Sequence, residues 1–160
     1  MIIRGIRHLG WADERFFTTL GDLPDGAFAV SYAPGTMPVG QLAAHIVGGA
    51  EWYRYCLTGE LWTDLQPATT GAEVLALRDH LRGLDATLMA EASAPDAPVT
   101  FRDEEGERTV LRSTLLLQAI VHSTEHRAQI SSALAANGVT GPSLDDLDLW
   151  AFEAWERAAG

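Results

Sequence analysis

Apolar residues recur at intervals of three and four through four long stretches of the chain, the spacing that places them on one side of an α-helix. The first stretch runs from about Ile3 to Gly21, with Ile6, Leu9, Phe16, Phe17 and Leu20 on its apolar side and Trp11 between them. Gly21 followed by Pro24 supplies its stop. The second spans roughly Met37 to Thr58, with Thr36 as its cap and Pro38 tolerated in its first turn. Val39, Leu42, Ala43, Ile46, Ala50, Tyr53 and Leu57 form its buried stripe. Gly48 and Gly49 interrupt that helix, and each costs about 1 kcal/mol against alanine in a helix interior. Close approach by a neighbouring helix or a ligand is one physical return on that cost.

The third stretch, Gly71 to Ala92, carries Val74, Leu77, Leu81, Leu84 and Leu88 at helical spacing and is broken by Ala94-Pro95-Asp96-Ala97-Pro98. Val99 to Arg102 and Arg108 to Val110 then flank Asp103-Glu104-Glu105-Gly106, which predicts a short hairpin. Such a hairpin is marginal alone and belongs over the bundle. The fourth helix, roughly Arg112 to Ala136, ends at Asn137-Gly138, a left-handed stop. A short closing helix is expected within Asp145 to Ala159. The pattern predicts an all-α fold, a four-helix bundle in one domain spanning residues 1–160.

Composition narrows the function classes. Acidic residues outnumber basic ones 22 to 11, for a net charge of −11. Such a chain repels phosphate backbones, and no cluster of basic residues reverses the balance locally, so nucleic-acid binding is not expected. No run approaches the ~20 apolar residues of a membrane helix, and no secretory signal is expected at the N-terminus. With Cys56 as the only cysteine, no intramolecular disulfide can form. A cytoplasmic location and a small-molecule substrate are the expectations that follow.

The candidate chemistry lies in His122-Ser123-Thr124-Glu125-His126. Histidines four apart on a helix project from one face about a turn apart and can share a metal ion. This pair falls on the stripe Leu115, Ala119, Ile130 and Ala133, which points the imidazoles into a core where polar atoms need partners. Core histidines hydrogen-bonded to other side chains would satisfy the same pattern. His45 lies on the flank of the second helix's stripe and is the third candidate ligand. A tri-imidazole set leaves coordination positions open on a divalent ion, as catalytic sites do. Zn, Ni, Fe and Mn are all acceptable to imidazole.

Other residues are read as structural. His8 is unmarked, His80 is a partly exposed helix residue among Arg78, Asp79 and Arg82, and Cys56 is a small buried hydrophobe. Cys56 also lies eleven residues beyond His45, about 16 Å along a continuous helix, too far to share its metal. The tryptophans are packing residues, although Trp52 could wall a pocket near His45. His122-x-x-Glu125-His126 also matches the inverted zinc-protease pattern, a five-residue match that occurs easily by chance.

Three segments, in order and spread over most of the chain, resemble the DinB-like metal-binding proteins. Trp11-Ala12-Asp13-Glu14-Arg15 resembles that family's opening helix, and Leu42-Ala43-Ala44-His45-Ile46 through Glu51-Trp52 its first ligand segment. His122 to Ile130, with Leu134 and Asn137-Gly138-Val139, is similar to its most characteristic run. Asp13 stands where asparagine is usual, Glu125 where a further histidine is common, and Ala128 where glycine is. The resemblance implies up-down-down-up connectivity, usually a homodimer, and a divalent metal held by His45, His122 and His126. It further implies thiol-dependent chemistry, since characterised relatives include S-transferases and an isomerase that use a low-molecular-weight thiol. Metal-assisted hydrolysis with Glu125 or another acid as base is an alternative, and a non-catalytic metal- or small-molecule-binding dimer is another.

Overall fold

The computed structural model describes residues 2–159 and contains five α-helices and one hairpin. Helix α1 (Ile2–Gly21) is followed by a 3-10 turn (Asp25–Ala29), then α2 (Val39–Thr58) and α3 (Gly71–Ala92). Strands β1 (Pro98–Asp103) and β2 (Gly106–Leu111) lead into α4 (Arg112–Ala136), and a 3-10 turn (Asp145–Leu147) precedes α5 (Leu149–Ala159). No helix among the described residues is long and apolar enough to cross a membrane.

Cross-helix pairs give the directions of the four long helices. Along α1 and α4, Gly5 meets Ile120 while Asp13 meets Ser123 and Arg127, so these two run parallel. Along α1 and α3, Gly21 meets Gly71 while Gly10 meets Asp85, so they are antiparallel. Gly49 against His122, with His45 against His126, makes α2 and α4 antiparallel. The result is up-down-down-up. Parallel neighbours α2 and α3 need a connection that travels the bundle's length. A helix of 20 residues is about 30 Å long, and segment 59–70 can reach about 40 Å when extended.

The periodic stripes are buried as their spacing demands. Val74, Leu77, Leu81, Leu84 and Leu88 of α3 join Phe16, Phe17, Leu20, Val39 and Ile46 inside the bundle. Full burial of each such side chain is worth roughly 1.5–3 kcal/mol. One apolar cluster fills the end near the α1–α2 connection, and a second, around Leu9, Tyr53, Cys56 and Leu116, fills the other. The hairpin covers the second cluster with Val99, Phe101 and Val110, and Tyr55 Oη donates to the Arg102 carbonyl at 3.0 Å.

Several boundaries differ from the sequence expectation. Helix α2 begins at Val39, because Thr36 Oγ1 instead closes a turn on Ala33 and Pro38 remains extended. The N-terminal device that does form is at α3. Thr70 Oγ1 accepts from the Glu73 amide, and the Glu73 carboxylate accepts from the Thr70 amide. Both strands are longer than expected, pairing from Pro98↔Leu111 to Asp103↔Gly106. The α4 stop is as expected, with Gly138 at φ +70. Leu57 is only partly buried.

Candidate metal centre

The two middle turns of α4 point polar side chains in two directions. Ser123 and Arg127 face inward, and their side chains are buried. Arg127 Nη1 donates to Asp13 Oδ1 at 3.0 Å, and Ser123 Oγ donates to the same oxygen at 2.6 Å. Burial pushes the Asp13 carboxyl above its ordinary value, while the Arg127 charge and the Ser123 hydroxyl pull it back. Arg127 also donates to Thr124 Oγ1 at 3.2 Å. The inward position of Arg127 agrees with its helical phase, about a quarter turn or more from the histidine face.

His122 and His126 project from α4 toward α2, where they meet His45. The ring centroids are 5.0 Å apart for His45 and His122, 4.5 Å for His45 and His126, and 4.4 Å for His122 and His126. One nitrogen from each ring can be chosen so that all three lie within 4.8 Å of one another. The expectation that these rings sit inside the core is corrected: His122 and His126 are half-buried and His45 is exposed. The buried face of α4 passes instead through Ser123 and Arg127, one position further round the helix.

Glycine makes the approach possible. A Cβ on Gly49 would lie 2.2 Å from Cε1 of His122, so the His122 ring occupies space that any other residue at 49 would fill. Gly48 faces open space and has no such role. The paired glycines thus have one structural reason between them.

The donor set suits a divalent ion. His126 Nδ1 donates to Gln129 Oε1 at 2.8 Å, which leaves Nε2 with its lone pair free. His45 Nε2 and His122 Nε2 are 3.3 Å apart. Two imidazole nitrogens at the usual ~2.0–2.1 Å from tetrahedral zinc are separated by about 3.3–3.4 Å. Burial, followed by the neighbouring His126 and His45, lowers the His122 pKa to about 4. Burial and His126 also lower that of His45. Both rings are therefore neutral at pH 7, the form that ligates.

The remaining candidates separate from this cluster. His8 Nε2 lies 2.7 Å from the Leu147 carbonyl, and the ring packs on Trp11 and Phe152. His80 is partly exposed as expected, but it has a partner that the sequence did not reveal. Its Nε2 lies 2.7 Å from Oε1 of Glu51, whose side chain is buried on α2. Glu51 also accepts from the amide and hydroxyl of Thr63, which pins segment 59–70 to the bundle. Burial pushes the Glu51 carboxyl up, but the His80 and Thr63 bonds outweigh it and leave it below the ordinary carboxylate value. No sequence pattern marked this glutamate. Cys56 is buried, and burial pushes its thiol up to about 11, so it is inert as a nucleophile at neutral pH. Trp52 packs against Tyr55, Trp62 and Phe101 rather than against the histidines.

An open groove of about 640 Å³ adjoins the cluster, lined among others by Tyr32, Thr36, Met37, Leu42, Gln129 and Ser132. It is joined to the histidines by Gln129, which lines the groove and holds His126. Among the described residues, no charged side chain lines it.

A four-helix bundle with an inter-helix tri-histidine cluster is the class that fold and site define. The chain belongs to the DinB family, whose model matches residues 4–157. Among solved structures it is similar to a DinB-like protein from Bacillus cereus, at 21% identity and a TM-score of 0.67. That alignment covers 87% of this chain and 94% of the Bacillus cereus chain. A search of curated proteins gives no match.

Proposed function

We propose that His45, His122 and His126 hold one divalent metal ion and that the protein is a metal-dependent enzyme acting on a small molecule with a low-molecular-weight thiol as co-substrate. The observation that carries this reading is the convergence of three imidazoles at an exposed seam, with a groove beside them. A divalent ion held there would supply Lewis acidity, lowering the pKa of a thiol so that it is nucleophilic at neutral pH.

The chain's own residues have separable parts in this scheme. Gln129 fixes the His126 ring and tautomer, and Gly49 lets His122 approach α2. The groove offers Tyr32, Thr36 and Ser132 hydroxyls among apolar surface, a lining suited to an uncharged electrophile. The inert Cys56 leaves the thiol to come from outside the chain.

The hydrolytic alternative with Glu125 as base draws on no contact of that side chain with the histidines, and Glu125 is exposed. Thiol conjugation to an uncharged electrophile by zinc- or nickel-loaded protein, lost in His126→Ala with the helical circular dichroism retained, is the expected result. Inactivity of the loaded wild type across thiols and electrophiles overturns the enzymatic reading. Absence of metal from native protein by elemental analysis, with stability unchanged by chelator, favours histidines that only brace the seam.

A further inference from the structure

Diagonally across the bundle from the histidines, α1 and α3 form a groove bounded at one side by α5. It encloses about 600 Å³, within the usual range of ligand pockets. Trp11, Phe152 and Trp155 make its aromatic wall, with ring centroids 5.3 to 6.0 Å apart. Around this wall stand Arg7, Arg15, Arg78 and Arg82. The chain has only 11 basic residues against 22 acidic ones, and four of the 11 line this one groove, with Glu14 and Asp85 as its acidic residues.

These arginines are not equivalent. Arg82 is bonded to Glu14 at 2.8 Å, and Arg78 lies 3.8 Å from the same carboxylate. Arg7 pairs with Glu156 at 3.0 Å. Arg15 has no carboxylate within 4.0 Å among the described residues; its guanidinium lies 5.0 Å above the Trp11 ring. One cation is therefore free to bind a ligand without displacing a protein partner. A multiply charged anion would have to break pairs that already exist. A single carboxylate would not, and a guanidinium fork receives it with two parallel bonds.

Two polar atoms on residues of this groove, Trp11 Nε1 and Asp85 Oδ1, are buried with no protein hydrogen-bond partner. Burial, and then the nearby Asp13, push the Asp85 carboxyl well above its ordinary value. A carboxyl whose charged form is disfavoured in this way opposes an anion less than an ordinary carboxylate does. Aromatic faces beside the free guanidinium favour a flat ring on the ligand, by stacking and edge contacts.

We propose that this groove is a second binding site, distinct from the histidine seam, for a small aromatic monocarboxylate whose ring lies against Trp11 and Trp155 and whose carboxylate is held by Arg15. The probe is 2-naphthoate, with uncharged 2-naphthylmethanol as its control, titrated calorimetrically into chelator-treated full-length protein. Saturable one-to-one binding of naphthoate is expected. Arg15→Gln should weaken it about tenfold or more while leaving naphthylmethanol unaffected. Ala86→Trp, which fills the groove from an exposed position on α3, should abolish binding of both. His126→Ala should bind naphthoate as the wild type does. Absence of saturable binding at millimolar naphthoate, equal affinity in Arg15→Gln, or loss of binding in His126→Ala would overturn the proposal.

Discussion

Helix α4 carries two polar clusters on adjoining faces, and they differ in whether their hydrogen-bonding capacity is used. Ser123 and Arg127 turn inward to Asp13, and the buried charge pair closes on itself with a hydroxyl sharing the load. His122 and His126 turn outward to His45, where, among the described residues, only His126 Nδ1 has a hydrogen-bond partner outside the three rings. Burial explains the contrast. A buried carboxylate without a counter-charge is too costly to survive, so the inward cluster has to be complete within the fold. The half-exposed rings can leave nitrogens for something that is not protein. The closed cluster is read as structure and the open one as a site.

Removing one partner of the closed cluster gives the largest expected effect. Arg127→Met leaves Asp13 buried beside Ser123 alone and should cost about 3–5 kcal/mol in urea unfolding. Replacing both, as Asp13→Leu with Arg127→Met, should recover most of that loss. A double variant as unstable as the single one would show that the pair does more than neutralise itself.

The open cluster should behave oppositely, with little cost to the metal-free fold and a large effect on metal response. Zinc at about a hundred times its Kd stabilises a binding protein by about 2.7 kcal/mol. That increment should be present in wild type and absent in His126→Ala, read as the thermal shift with and without chelator. An equal shift in both proteins would remove His126 from the site.

Gly48 and Gly49 test the seam more finely. Gly48→Ala meets open space and should gain up to about 1 kcal/mol of helix stability. Gly49→Ala drives a methyl into the His122 ring, so it should lose that gain and weaken zinc binding. Identical behaviour of the two variants would mean that the His122 ring is not seated against α2.

The smallest effect concerns the Glu51 latch. Because its folded pKa is lowered, the stability that Glu51 contributes is complete above its ordinary value of 4.5 and is lost as pH falls through the lowered value. Hydrogen exchange in segment 59–70 should therefore accelerate below that range before the helices open. Glu51→Gln should show the faster exchange already at pH 7.

The helices were legible because their stripes are local statements: Leu77, Leu81, Leu84 and Leu88 lie on one face whatever they pack against. The hairpin and the Asn137-Gly138 stop were legible for the same reason, as turn chemistry is local. The start of α2 was not, because Thr36 has two local options and the fold uses the one that closes a turn on Ala33. The partners of Arg127, Glu51 and Gly49 were hidden as well. Asp13 and Ser123 are 110 residues apart in the chain, and no spacing rule reaches across that distance.

By itself, the sequence determined four amphipathic helices, a net acidic charge, and two histidines on one helix face, with the family-like run naming His45 as a third. Only the tertiary structure decided that His45 meets them, that Gly49 makes the room, and that the rings stand at an exposed seam rather than inside the core. It also decided that Arg127 is a structural counter-charge and that Arg15 has no carboxylate partner among the described residues in a second groove. Periodicity fixes the direction of a side chain relative to its own helix. Whether a polar group is satisfied depends on the other helices, whose positions are settled when the apolar stripes pack together.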